Sequence, residues 1–296
     1  MITYTTCPVC KSEKIEDLFA TEDYTVSHEK FSVWKCLNCT HLFTQNIPAQ
    51  NEIGKYYASE NYISHSDTQT GIVNRLYHIV RKKTLNAKKL LIQKETNKHT
   101  GKILDIGCGT GAFLHNMKTA GWESTGLEPD ETARNKAQEL YNLTPLSSPE
   151  IFNLPHNTFN AITMWHVLEH VHQLHEYVEQ LKNLITDNGK IFIAVPNYTS
   201  YDAQYYGASW AAYDVPRHLY HFSPASMKNL LEQHGLSIKK IKPMWFDSFY
   251  VSMLSEKYKY GKSNLLKAFC VGFISNVKTM VNKEKCSSLI YVVGRA

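Results

Sequence analysis

The period of the apolar positions changes along the chain, and each change marks an element. Residues 102–106, Lys-Ile-Leu-Asp-Ile, form a short apolar run suited to a strand buried on both faces. Phe113, Leu114 and Met117 then fall at helical spacing. The same switch recurs, predicting strands at 123–127, 160–164, 190–195 and 288–294, a weak one at 143–147, and helices at 111–120, 130–141, 174–185 and 223–234. Such alternation predicts an α/β fold with a doubly wound parallel sheet. Phe31 to Trp34 reads as a strand of a small N-terminal unit. Leu76, Ile79, Val80, Leu85, Leu90, Leu91 and Ile92 recur at helix-like intervals, with Arg81 to Lys83 and Lys88-Lys89 as the solvated face. The expected organisation is 1–46, a helical connector at 47–98, and 99–296 with insertions at 197–222 and 243–284.

Composition narrows this picture. Hydrophobic content of 43% and charged content of 20% are those of a globular protein. A formal charge of +5 suits an anionic ligand but is too small to argue for nucleic acid. No apolar run reaches transmembrane length, and residues 1–4 lack the features of a signal peptide, so a cytoplasmic location is expected. Four of the seven cysteines stand in two Cys-x-x-Cys pairs, Cys7 with Cys10 and Cys36 with Cys39. That spacing presents four thiolates to one structural zinc in a zinc ribbon, a closed site for folding or docking. His41, just beyond, reads as a surface or packing residue rather than a fifth ligand.

The candidate chemistry centres on Asp105-Ile106-Gly107-Cys108-Gly109-Thr110-Gly111. Glycines at alternate positions let a ligand lie against the backbone, and the helix beyond offers free N–H groups to its anionic part. Glu128 closes the next strand, where one carboxylate can accept both hydroxyls of a ribose. The turn also satisfies a loose dinucleotide fingerprint, which keeps a dehydrogenase among the alternatives.

With D-I-G-C-G-T-G and G-L-E-P in place, the chain resembles the class I S-adenosylmethionine-dependent methyltransferases. W-H-V-L-E-H-V, at 165–171, resembles the post-strand motif of the ubiquinone-pathway group. The resemblance implies a Rossmann-like seven-stranded sheet of order 3-2-1-4-5-7-6. It implies S-adenosylmethionine as cofactor, with Asp105, Gly107, Gly109 and Gly111 at its methionine end, Glu128 on its ribose, and Trp165 and His166 flanking the methionine end and the acceptor.

Methyl transfer is an in-line displacement, so alignment supplies most of the catalysis. A hydroxyl acceptor must also lose a proton, and histidine is the natural base. His166, His170, His218 and His221 are the candidates. His166, Glu169 and His170 share i, i+3, i+4 spacing and, joined by His218 or His221, suit a second divalent metal. The resembled enzymes carry a Glu-x-x-Glu-His version of this motif, so His166 departs from it.

The expected function is methylation of a small-molecule acceptor, with oxygen favoured. Alternatives are an RNA methyltransferase docking through the zinc ribbon, C- or O-methylation of a sugar or lipid-like acceptor, and a cofactor-binding partner without activity. Scattered basic residues disfavour nucleic acid. The aromatic stretch 197–222 reads as a lid or substrate wall, while Tyr56, Tyr57 and Tyr62 read either as a wall of the cofactor or acceptor pocket or as part of a connector packed on the catalytic domain. The basic, apolar stretch 244–281 suits a peripheral membrane contact, a subdomain or an oligomer contact. Oligomeric state is left open.

Overall fold

The computed structural model describes residues 1–57 and 72–296, with side chains in the connector helix from Lys83 onward. Tyr62 lies outside the described residues, as does the side chain of Tyr77.

The chain begins with β1 (Ile15–Glu22), β2 (Lys30–Cys36) and β3 (Leu42–Thr44), followed by the helix α1 (Ile72–Thr96). Alternation then sets in: β4 (Lys102–Ile106), α2 (Ala112–Thr119), β5 (Glu123–Leu127), α3 (Glu131–Tyr141), β6 (Phe159–Trp165), α4 (Leu174–Leu184) and β7 (Ile185–Pro196). The last third holds α5 (Tyr201–Tyr206), the two-residue β8 (Tyr220–His221), α6 (Pro224–Glu232), β9 (Leu236–Pro243), α7 (Asp247–Tyr260), α8 (Leu265–Val281) and β10 (Ser288–Arg295). Local chemistry explains several boundaries. Asp130 caps α3 by accepting from the Thr132 amide, and Ser223 and Ser226 form a capping box ahead of α6 with Pro224 in its first turn.

Six strands form one sheet in the order β5-β4-β6-β7-β10-β9. In sequence terms this is 2-1-4-5-7-6, so the expected third strand is missing from the ladder. Residues 143–147 contribute a single parallel bridge between Leu146 and Leu127. Leu-Thr-Pro-Leu offers one proline without an N–H and too few apolar residues to sustain pairing. β4 pairs in parallel with β5 on one side and β6 on the other, so the chain reverses its winding beside β4.

Residue contacts group the chain into two units along different lines from the expected 1–46, 47–98 and 99–296. One unit comprises residues 65–165, 178–193 and 292–296. Its centre is the buried Ile103, Leu104, Ile106 and Ile162, with Phe113, Leu114 and Met117 of α2 packed on them. The other comprises 1–64, 166–177 and 194–291. It contains a second sheet, β1-β2-β3-β8, in which the strand from the first insertion pairs with the N-terminal segment, Leu42 opposite His221 and Phe43 opposite Tyr220. The aromatics of 197–222 are spent mainly on the core of this unit. Tyr206, Trp210 and Tyr213 are buried against Phe31, Val33 and Tyr56. The second insertion, 243–284, is the helical pair α7–α8.

Candidate functional site

In the unit built on β4, the glycine turn is bound to the end of β5. The amides of Gly107 and Cys108 both donate to the Leu127 carbonyl, at 2.7 and 3.0 Å. Gly109, at φ 55°, has nothing within 4 Å of where a Cβ would stand, so the backbone presents an open cradle. Gly111 is glycine for another reason: at φ 82° a Cβ would come within 2.9 Å of Leu143 and 3.1 Å of Ala137. It is also the N-cap of α2 and supplies no side-chain cap, which leaves the first amides of that helix for a ligand.

Two buried carboxyls flank the turn. Glu128 accepts from the Gly109 amide at 2.8 Å and from the Asp130 amide at 3.0 Å, one oxygen each. Burial raises its pKa, and these two amides act against that rise. Glu128 therefore has a structural duty that sequence reasoning did not give it, with a lone pair left on each oxygen. Asp105 takes a 2.6 Å hydrogen bond from the Thr163 hydroxyl. Burial pushes its carboxyl up to about 7, against the pull of that hydroxyl and of Lys88. Trp165, at the end of β6, meets Phe113 edge-on at 5.7 Å, and its indole N–H is buried without an acceptor among the described residues. Lys88 lies 4.1 Å above the Trp165 ring. It was expected on the solvated face of α1, and nothing in its local sequence marks it as different from Lys89.

In the other unit the histidines divide by partner. His166 stands at φ 58° with Nδ1 3.4 Å from Glu169 and Nε2 3.2 Å from Asp247. Burial alone would lower its pKa, but Asp247 and Glu169 lift it to about 10. The two carboxylates therefore favour the imidazolium form of His166. Asp247 comes from α7 and was invisible to sequence reasoning. Glu169 is fully buried, and neither oxygen accepts a hydrogen bond among the described residues.

One ligand atom each from Glu169, His170 and His218 lie within 4.8 Å of one another. His170 Nδ1 lies 2.9 Å from the Arg217 carbonyl, and His218 Nδ1 lies 2.9 Å from the Ala212 carbonyl. A carbonyl can only accept, so both Nδ1 atoms carry a proton, and in a neutral ring the lone pair is then on Nε2. Burial and the nearby His218 push His170 down to about 4, which keeps it neutral. The hydroxyl of Tyr57 is 3.0 Å from His170 Nδ1, while Tyr56 is packed in the core with its hydroxyl on Glu29.

His221 is not in this group. Its Nε2 lies 3.1 Å from the Thr44 hydroxyl, whose own proton goes to the His218 carbonyl. His221 thus acts through the backbone of the loop; of the two histidines left open by the sequence it is His218 that lies with Glu169 and His170, while His166 and His221 fall outside that group. Arg217 holds that loop. It is 1% exposed and reaches Asp23, Asp214 and the Tyr56 carbonyl at 2.6 to 2.8 Å.

The four N-terminal cysteines converge. Cys7 and Cys39 sulfurs are 3.6 Å apart and Cys10 and Cys36 sulfurs 3.5 Å apart. The two pairs are local copies of one turn. The Lys11 amide donates to the Cys7 carbonyl and the Thr40 amide to the Cys36 carbonyl, with Lys11 and Thr40 at φ 60° and 61°. His41 is fully buried against Phe43, Tyr220 and Phe222, a packing residue and not a ligand.

Comparison with known proteins bears on the reaction. Residues 77–241 match a family described as a methyltransferase domain. The chain is 27% identical over 164 residues to the mitochondrial ubiquinone biosynthesis O-methyltransferase of Bos taurus, covering 50% of this chain and 44% of that protein. It is 27% identical over 185 residues to the ubiquinone biosynthesis O-methyltransferase of Actinobacillus pleuropneumoniae serotype 7, covering 56% and 77%. The chain thus spans about half the length of the mitochondrial relatives it matches. In fold it is similar to magnesium protoporphyrin IX methyltransferase from Synechocystis PCC 6803, at TM-score 0.52 and 15% identity, over 81% of this chain and 97% of that one.

Proposed function

We infer, because this chain belongs to the methyltransferase domain family, that it transfers the methyl group of S-adenosylmethionine to a hydroxyl oxygen of a small-molecule acceptor. The observation that carries the reading is Glu128. It is a buried carboxylate at a strand end whose two oxygens each hold one backbone amide and keep one lone pair, beside a turn that is open at Gly109. Those features fit a ribose diol and the chain that follows it. Asp105, Gly107, Gly109 and Gly111 would hold the methionine end, with the unpartnered indole N–H of Trp165 at the same strand ends. The similarity to two O-methyltransferases supports oxygen as the accepting atom.

The Glu169 oxygens, which accept no hydrogen bond among the described residues, and the Nε2 atoms of His170 and His218 fit a divalent cation. Such an ion would polarise the acceptor hydroxyl and ease its deprotonation. His166, cationic between Glu169 and Asp247, fixes the Glu169 carboxylate and adds positive charge where an oxyanion develops. His166 directly follows Trp165 in the chain. A metal-free reading has one observation in its favour. His218 Nε2 is 4.0 Å from Asp214, a carboxylate that would stabilise the imidazolium if His218 took the proton itself. The Cys7, Cys10, Cys36 and Cys39 set fits a structural zinc, its four sulfurs leaving no open position.

The test is incubation of the purified chain with methyl-labelled S-adenosylmethionine and fractionated cell extract, with and without added divalent cation. Label in a small-molecule fraction, released as an O-methyl product, supports the reading. Label in RNA, or no cofactor binding by calorimetry, overturns it. Metal analysis separates the two acceptor readings: His218→Gln should lower divalent-metal content only if His218 is a ligand.

A further inference from the structure

α8 is packed inside out. The side it turns toward its neighbours carries Ala268, Val271, Gly272, Ser275 and Thr279, all buried. Small residues are required there, since a Cβ on Gly272 would come within 2.9 Å of the Phe249 ring and 3.1 Å of the α7 backbone. The opposite side carries the large apolar residues. Leu266 and Met280 are each 75% exposed, Leu265 65%, Phe269 57%, Phe273 54% and Val277 43%. A helix that faced only water would show the reverse arrangement. At the start of α7, Trp245 and Phe246 are also exposed, and the Asn276 amide of α8 is tied to the Trp245 carbonyl at 2.9 Å, so the apolar surface is shared by both helices. A contiguous patch of this kind marks an interaction surface.

Charge selects the occupant. Lys257, Lys259, Lys262, Lys278 and Lys283 are exposed around this pair of helices. Of the nearby acids, Asp247 is paired with His166 and Glu256 with Lys267, while Glu284 is exposed. Where α8 ends, a groove of about 520 Å³ is lined by Ile241, Met280 and Val281 together with three lysines, Lys239, Lys240 and Lys283, and one acid, Glu284. Apolar floor beside lysine ammonium groups matches the junction of acyl chain and phosphate in a phospholipid. A second copy of the chain would bring the same lysines against themselves. At 17 residues α8 can lie along a surface, and among the described residues no helix is long and apolar enough to cross a membrane.

We propose that the outer face of α8, with its lysine rim and the groove at its end, docks this protein on a bilayer surface containing anionic phospholipid. The experiment is co-sedimentation of the full chain with phosphatidylcholine vesicles, and with vesicles in which about a third of the lipid is phosphatidylglycerol. The unchanged chain should sediment with the anionic vesicles, and added salt should weaken this. The F269S/F273S variant and the K278Q/K283Q variant should each lose binding by about tenfold or more. These side chains are exposed, so thermal unfolding and zinc content should match the parent and show that the variants fold. Absence of binding by the folded parent, or equal binding by F269S/F273S, overturns the proposal. So does a dimer by sedimentation velocity that dissolves in F269S/F273S while the parent ignores vesicles.

Discussion

Arg217 Nη2 lies 2.8 Å from Asp23 Oδ1, an ion pair sealed from solvent between residues 194 positions apart. Asp214 and the Tyr56 carbonyl also accept from the guanidinium. Arg217→Met should strand Asp23 without its counter-charge and cost roughly 3 to 5 kcal/mol, read by urea unfolding. Burial opposes ionisation of Asp23, but Arg217 and the Ser27 amide hold its pKa well below the ordinary 3.8. The pair's stabilisation should therefore be complete above that value and fade as the pH falls below it. A loss under about 1 kcal/mol in R217M would show that the loop carrying His218 is held by something else.

Asp105 behaves in the opposite sense. Its carboxyl is lifted by burial from 3.8 to about 7, so the folded chain keeps a proton that the unfolded chain releases. Stability should fall as the pH rises between those values and then level off. Asp105→Asn removes the penalty. The variant should be more stable than the parent by roughly 2 to 4 kcal/mol near neutral pH and above, with the gain shrinking toward acid. Parallel denaturation curves at several pH values check this, and a gain that does not change with pH contradicts it.

Glu128→Ala removes the acceptor for the Gly109 amide and, on the proposed reading, the grip on both ribose hydroxyls. Cofactor affinity should fall by about 100-fold, roughly 3 kcal/mol, by calorimetry. Glu128→Gln should lose less, because its carbonyl still accepts one donor. Equal affinity in all three proteins would remove Glu128 from the binding site.

On the proposed four-thiolate site, Cys36→Ser should eliminate bound zinc and loosen β2, whose last residue is Cys36. Metal analysis after gel filtration reads the first effect. Proteolysis near residues 30–44 reads the second, and a chelator applied to the parent should reproduce both. Retention of full zinc by C36S would break the four-thiolate assignment.

Short-range signals account for what could be read before the structure. The turn from Asp105 to Gly111 and the paired cysteines are fixed by neighbours a few residues away, so spacing alone identifies them. The third strand failed because Leu143 to Ser147 has neither length nor alternation to hold a ladder. His218 and His221 could not be separated, because the choice depends on Thr44 and Ala212. Asp247 and Asp23 likewise act on His166 and Arg217 across long stretches of chain. In sequence, a core aromatic such as Trp210 cannot be told from a lid aromatic. Only packing against Phe31 and Tyr56 tells them apart.

The pairing of β8 with β3 has an evolutionary corollary. A crossover that exchanged the amino-terminal segment of such a chain, but kept residues 211–221 from the other parent, would set unmatched edges at Leu42 and Phe43. The two stretches should therefore be inherited together despite the long stretch of chain encoded between them. Recombinants that split them should be purged, whichever acceptor the parents prefer.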